Sequence, residues 1–280
     1  MVRIITDSTC DLSLEYLAEI GVICVPLSVH FGEDVYIDGV NLTAADFYKK
    51  LRTEGVTPTT AQPNPHAFEE AFRACLDKDE DVLCLLVAEE LSGTMQSAYI
   101  AKEAVQSERI RIIDTRSACL PIGLLVRIAA DKANVGADMD SLYNEMMDLR
   151  SRARVFAAVE TLEYLKKGGR LSGTAAMIGT MLNLHPILTV EDGKVLNIDK
   201  VRGKKKMYSV LLDWMKKYGV DEEYPIVIGH GGSEENFQKL IEASQGNINM
   251  DKVFHGAIGP VVGTYTGPGV VAIGFITAKK

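Results

Sequence analysis

The sequence predicts an α/β protein of two domains: an N-terminal parallel-sheet α/β domain over residues 1–152 and a C-terminal α+β domain over 153–280. Three observations carry this reading. Short, unalternated apolar runs alternate with helical patterns through the first half, as expected for strands covered by helices on both faces. Three of those runs stop in polar loops rich in Asp, Ser, Thr and Gly, at what should be one edge of the sheet. Beyond Arg154, hairpin signals mix with helices, which is α+β patterning.

The first apolar run, Val2 to Thr6, ends at Asp7-Ser8-Thr9, and a helical pattern follows through Leu12, Leu14, Leu17 and Ile20. Gly21 closes that helix, and Val22 to Val25 reads as the next strand. Ser28–Phe31 and Val35–Ile37 flank Gly32-Glu33-Asp34 and form a hairpin outside the parallel sheet. A helix over Thr43–Glu54 has Thr43 as N-cap. Three prolines within Pro58–Pro65 predict a rigid exposed loop. Helix His66–Asp77, buried strand Asp81–Val87, a helix from Met95 and strand Arg109–Ile113 follow. Helices over Gly123–Ala133 and Ser141–Arg152 complete the first domain. The second holds strand Val155–Val159, a turn of helix at Leu162–Lys166 and a hairpin of Pro186–Val190 with Lys194–Arg202. A helix over Lys204–Tyr218, strand Tyr224–His230, a helix from Ser233 and two strands flanking Gly259–Gly269 end the chain.

At 47% hydrophobic and 24% charged, the 280 residues have the balance of a globular protein rather than a disordered, collagen-like or membrane-embedded one. With 30 Lys and Arg against 38 Asp and Glu, the formal net charge is −8. That sign opposes a phosphate backbone, so nucleic acid is not an expected partner. The five cysteines (Cys10, Cys24, Cys75, Cys84, Cys119) are scattered with no CxxC pair, which predicts reduced, mostly buried thiols. The apolar stretch from Leu120 to Ala130 is broken by Arg127 and too short to span a bilayer, and the apolar run before Asp7 is too short for a secretory signal. A cytoplasmic protein without stable membrane insertion is expected.

The histidines show no HxH, HxxxH or HExxH spacing, and no phosphate-binding GxxxxGK[ST] or GxGxxG loop is present. No metal or cofactor is expected. The loops instead offer hydroxyls and free backbone amides: Thr60, Ser92, Gly93 and Thr94 sit ahead of helices, where N–H groups favour an anion. Plain N-capping is the better explanation of any one of them taken singly, and it is their recurrence across loops that moves the balance toward a ligand. Gly168–Gly173, with Arg170, and Val201–Lys206, with Arg202, are the local basic features. The helical pattern after Arg170 carries small residues (Ala175, Ala176, Gly179) among apolar ones (Ile178, Leu182), leaving space for backbone or a ligand chain. Gly263-Thr264-Tyr265-Thr266-Gly267-Pro268-Gly269 reads as a constrained loop with positive φ, its tyrosine free to pack or to reach a polar head.

Six strings in order resemble the DegV family of bacterial fatty-acid-binding proteins: Thr6–Leu12, Pro58–Pro63, Leu91–Ala98, Gly169–Ser172, Leu184–Leu188 and the Gly263–Gly269 loop. The resemblance implies one long-chain fatty acid buried between the two domains of a non-enzymatic carrier. It implies a partner as well, a separate ATP-dependent fatty acid kinase subunit to which the acyl carboxylate is presented and from which the acyl phosphate is taken. By motif, Thr60 and Ser92 would bind the carboxylate, assisted by amides near Gly93 and Thr94 and by Tyr265, while Arg170 and Arg202 would face the kinase and incoming phosphate. Cys119, Ala175, Ala176, Ile178, Gly179 and Leu182 are the acyl-tunnel candidates. The chain departs from the family pattern at Tyr265, where histidine is usual, and at Ala61, Cys119, Pro121 and His185. Two other classes fit the residues alone. One is a hydrolase or phosphoryl-transfer enzyme using Ser92 with a distant base and an arginine clamp; the other is a protein-interaction module with an exposed apolar patch.

Overall fold

Apolar runs alternate with helices through the first half of the computed structural model, which describes residues 1–173 and 183–279. In order, they are β1 (Val2–Asp7), a 3-10 turn (Ser8–Cys10), α1 (Leu14–Glu19), β2 (Ile23–Val25), β3 (Ser28–Phe31), β4 (Asp34–Ile37) and α2 (Ala44–Thr53). Then come β5 (Thr59–Ala61), α3 (Pro65–Leu76), β6 (Asp81–Leu86), α4 (Thr94–Val105), β7 (Ile110–Asp114), α5 (Leu120–Asn134) and α6 (Met139–Arg152). The second half begins with β8 (Ala153–Ala158), α7 (Glu163–Lys167), β9 (Leu184–Glu191), β10 (Lys194–Arg202) and α8 (Lys204–Tyr218). It ends with β11 (Ile226–His230), α9 (Glu234–Ser244), β12 (Val253–Ala257), α10 (Pro260–Thr266) and β13 (Val271–Ile276).

Strands β2-β1-β6-β7 form a parallel sheet, so β1, β6 and β7 do end on one edge, as their polar loops predict. Strands β10-β9-β8-β13-β11-β12 form a six-stranded mixed sheet in which only β11 and β12 run parallel. The fold is a two-domain α/β architecture.

Helix α5 joins the two layers. It packs on β1 and β6 on one side and on β8, β11 and β13 on the other. Eleven of its fifteen residues are buried, which explains an apolar run with no polar face: a helix covered all round has no stripe to keep wet. Its approach to the 3-10 turn is so close that a Cβ on Gly123 would sit 2.4 Å from the Cys10 carbonyl oxygen. No described helix is long and apolar enough to cross a membrane.

Two expectations are corrected. The proline-rich segment is not wholly loop: Thr59–Ala61 pairs with β3 to complete the antiparallel sheet β4-β3-β5. Pro58 and Pro63 lie just outside these three residues, so no ladder donor is lost, and threonine suits a strand. Thr60 is therefore a strand residue, not one that precedes a helix. The Gly263–Gly269 string is not a loop throughout either. Its first four residues close α10, which starts on Pro260 with a ring pre-set for a first helical turn; only Gly267 and Gly269 hold positive φ.

Candidate functional site

The loops after β1, β6 and β7 and the facing strands of the second sheet enclose a cavity of about 450 Å³. Thr9, Val87, Ala118 and Cys119 supply the N-terminal wall at the carboxyl edge of the parallel sheet, where open α/β sheets place their ligands. Val155 and Ala157 of β8, Leu188 and Val190 of β9 and Val195 of β10 supply the opposite wall. Alternate residues of β8 share one face of that strand, so the sheet presents only one of its two faces to the cavity. The lining is dominated by Val, Leu, Ile and Ala and suits an apolar occupant.

The Asp7-Ser8-Thr9 loop owes most of its polarity to wiring. Asp7 accepts from the N–H and hydroxyl of Thr9 and, at 2.8 Å, from the Val87 N–H, so it ties the end of β1 to the end of β6. Burial pushes its carboxyl up despite those bonds. The Ser8 hydroxyl accepts from the Leu27 N–H at 3.1 Å.

The polar end of the cavity joins residues far apart in sequence. The Thr60 hydroxyl, in the middle of β5, lies 2.6 Å from the Tyr265 hydroxyl on α10. Arg170 stacks its guanidinium 5.0 Å from the centre of the Tyr265 ring and donates to the carbonyls of Leu91 at 3.1 Å and Gly168 at 2.8 Å. The other face of the site is the start of α4, a twelve-residue helix with Gly93 at its N-cap and no side-chain cap. The Thr94 N–H there donates to the Ser92 hydroxyl at 3.3 Å, and the helix dipole gives that end a positive character. Ser92 and Gly93 line the cavity there, and the Ser92 hydroxyl meets the Thr94 hydroxyl at 2.8 Å. Thr94 itself is fully buried and does not line the cavity. The described hydrogen-bond partners of the Ser92 hydroxyl are both on Thr94, with neither histidine nor carboxylate among them, so it lacks the adjacent base a serine nucleophile requires.

Thr60, Ser92, Gly93, Tyr265, Arg170 and Cys119 thus converge on one cavity. Cys119 stands at the N-cap of α5 with φ 67°, and burial pushes its thiol up beside Asp11. Arg202 ends β10, exposed, and is not among the lining residues. Ala175, Ala176, Ile178, Gly179 and Leu182 lie outside the described residues. Sequence reasoning missed Gln62, whose amide covers Gly93 and donates to the Ser97 hydroxyl at 3.2 Å. It also missed the apolar wall of β8 and β9, whose only signal was a shared inward face.

The family model described as uncharacterised protein, DegV family, matches residues 1–278. A DegV domain-containing protein of Caldanaerobacter subterraneus subsp. tengcongensis is 36% identical over 275 residues, covering 98% of each chain. Among solved structures, a DegV family protein from Thermus thermophilus, described as binding fatty acid, superposes with a TM-score of 0.89 at 31% identity, covering 99% of both chains. A stearic-acid-binding protein from Eubacterium ventriosum superposes with a TM-score of 0.88 at 29% identity, covering 99% of this chain and 98% of its own. With the match running almost end to end over a shared two-layer fold, this chain belongs to the DegV family.

Proposed function

We propose that this chain is a carrier that binds one long-chain fatty acid in the interdomain cavity, presents its carboxylate to a separate fatty acid kinase subunit and holds the acyl phosphate. The carrying observation is an apolar cavity that ends in the Thr60–Tyr265 hydroxyl pair beside the start of α4. The fatty acid and stearic acid bound by the Thermus and Eubacterium proteins support the reading. Thr60, Ser92, Tyr265 and the amides around Gly93 and Thr94 take the carboxylate; Arg170, at the same end, and Arg202, on the exposed end of β10, serve the phosphate and the kinase. Neither metal nor cofactor enters this scheme. The domains divide between Arg152 and Ala153, and the protein works as a soluble cytoplasmic monomer.

A chain of about fourteen methylenes at roughly 0.8 kcal/mol each gains about 11 kcal/mol gross, before the cost of ordering it. Ligand should therefore survive purification. Native mass spectrometry with lipid extraction tests this. One stoichiometric fatty acid, weakened in Thr60→Ala and Ser92→Ala, supports the carrier; an empty protein that refuses added palmitate and oleate refutes it.

A further inference from the structure

Helix α10 belongs to the C-terminal domain by chain and packs there on α7, yet its other main neighbours, α2, β3, β5 and the 3-10 turn, all belong to the N-terminal domain. It begins after Gly259, which has no side chain to cap it. Two aspartates of the other domain take that place. Asp11 accepts from the Gly259 N–H at 2.8 Å through Oδ1, and the Asp38 carboxyl faces the Val261 N–H and the Ser8 hydroxyl. Asp11 is 6% exposed and Asp38 3%, and Oδ2 of each lacks a hydrogen-bond partner among the described residues, so both are held in place at a desolvation cost. A Cβ on Gly259 would lie 3.1 Å from Asp11 Oδ1 and 3.5 Å from Asp38 Oδ1, which places both carboxyls around one residue. Midway along α10, Gly263 rests on Phe47 and Tyr48 of α2. At its far end Tyr265 meets Thr60.

Seven residues make a helix of about 10 Å, too short to hold itself together in water. Its position is set by what grips it. We propose that Asp11 and Asp38 are positioning residues for head-group recognition: from the N-terminal domain they fix the start of α10 so that Tyr265, near its other end, stands at the polar end of the cavity. This rests on the carrier reading, and it makes recognition of the carboxylate depend on contact between the two domains.

The test compares binding of palmitate and of its methyl ester, which keeps the chain and loses the charge. Wild type prefers the acid, and Tyr265→Phe narrows that preference. Asp38→Ala and Asp11→Ala narrow it by about tenfold in affinity ratio, and Tyr265→Phe added to either costs nothing more. Asp38→Asn, which keeps an acceptor for the Val261 N–H, restores the preference. Gly259→Ala crowds the same pair without removing a polar group and serves if an aspartate variant does not fold. Equal weakening of acid and ester would overturn the positioning role and leave the carrier reading standing. A wild type that binds neither ligand would overturn the carrier reading itself.

Discussion

Gly168→Ala offers a severe test of the polar end of the cavity. Gly168 follows α7 with φ −79° and ψ −8°, so alanine meets no backbone penalty there. The obstacle is Tyr265, whose ring carbons would lie 2.4 and 2.5 Å from the new methyl group. Restoring an ordinary contact of 3.4 Å moves the ring by about 1 Å. A shift of that size takes the 2.6 Å contact between the Thr60 and Tyr265 hydroxyls beyond hydrogen-bonding range. Overpacking costs about 1–3 kcal/mol and the lost bond about 0.5–1.5 kcal/mol, so a destabilisation of roughly 2–4 kcal/mol is expected. A carboxylate that loses one aligned donor binds about tenfold or more weakly. Urea denaturation reads the first effect and fluorescent fatty acid displacement the second. Adding Tyr265→Ala removes the clash, so in that background Gly168→Ala should cost under about 0.5 kcal/mol. The reasoning is refuted if Gly168→Ala alone leaves stability and affinity unchanged, or if its cost persists without the tyrosine ring.

Further outcomes follow from individual groups. Burial pushes the Asp38 carboxyl up to about 7, so folding favours its protonated form: that stability is complete below about pH 4 and is lost as pH rises through 7. Asp38→Asn should flatten the fall in denaturation midpoint between pH 5 and 8, and an unchanged slope would place the proton elsewhere. Arg152 donates to Asp221 at 2.9 Å and to the Thr277 carbonyl at 2.8 Å, joining the end of α6 to the end of the chain. Arg152→Met should cost about 2–3 kcal/mol at pH 7. Burial alone would raise the Asp221 carboxyl, but bonds from Arg152 and the Glu223 N–H hold it below its ordinary value. The difference between wild type and Arg152→Met therefore shrinks as pH falls below the carboxylate range, which acid titrations of stability would detect. Cys10, Cys75, Cys84 and Cys119 are buried and burial pushes the half-buried Cys24 thiol up, so a thiol reagent at pH 8 should label fewer than one cysteine until denaturant exposes all five.

The strands of the first domain were legible because each is a run of apolar residues closed by a polar loop, a local signal that Asp81–Leu86 displays almost without interruption. The Lys204–Tyr218 helix was legible from apolar residues at helical spacing and the β9–β10 hairpin from Glu191-Asp192-Gly193 between its strands, both again local signals. What escaped was set by partners distant in sequence. Thr59–Ala61 is a strand only because β3 offers it an edge. Gly263–Thr266 is helical because α7 of its own domain and aspartates and aromatics of the other pack around it. Thr60 and Tyr265, 205 residues apart, were each named as polar candidates, yet no local pattern says that their hydroxyls meet. Arg170 beside glycine reads as a cation for phosphate, and its stacking on the Tyr265 ring depends on both chain segments being in place.

The placing of α5 between two sheets has a consequence for how this chain can be made. Its second covering sheet is completed only by β13, the last strand in sequence and an interior one in space, between β8 and β11. From the synthesis of α5 until that of β13, one side of an apolar helix waits for residues the ribosome has not yet joined. An amino-terminal fragment ending at Arg152 should therefore be sticky rather than self-sufficient, and stalled chains should be clients of chaperones until Val271–Ile276 emerge. The two halves look like modules on a topology diagram, but they would be inherited, expressed and lost as one.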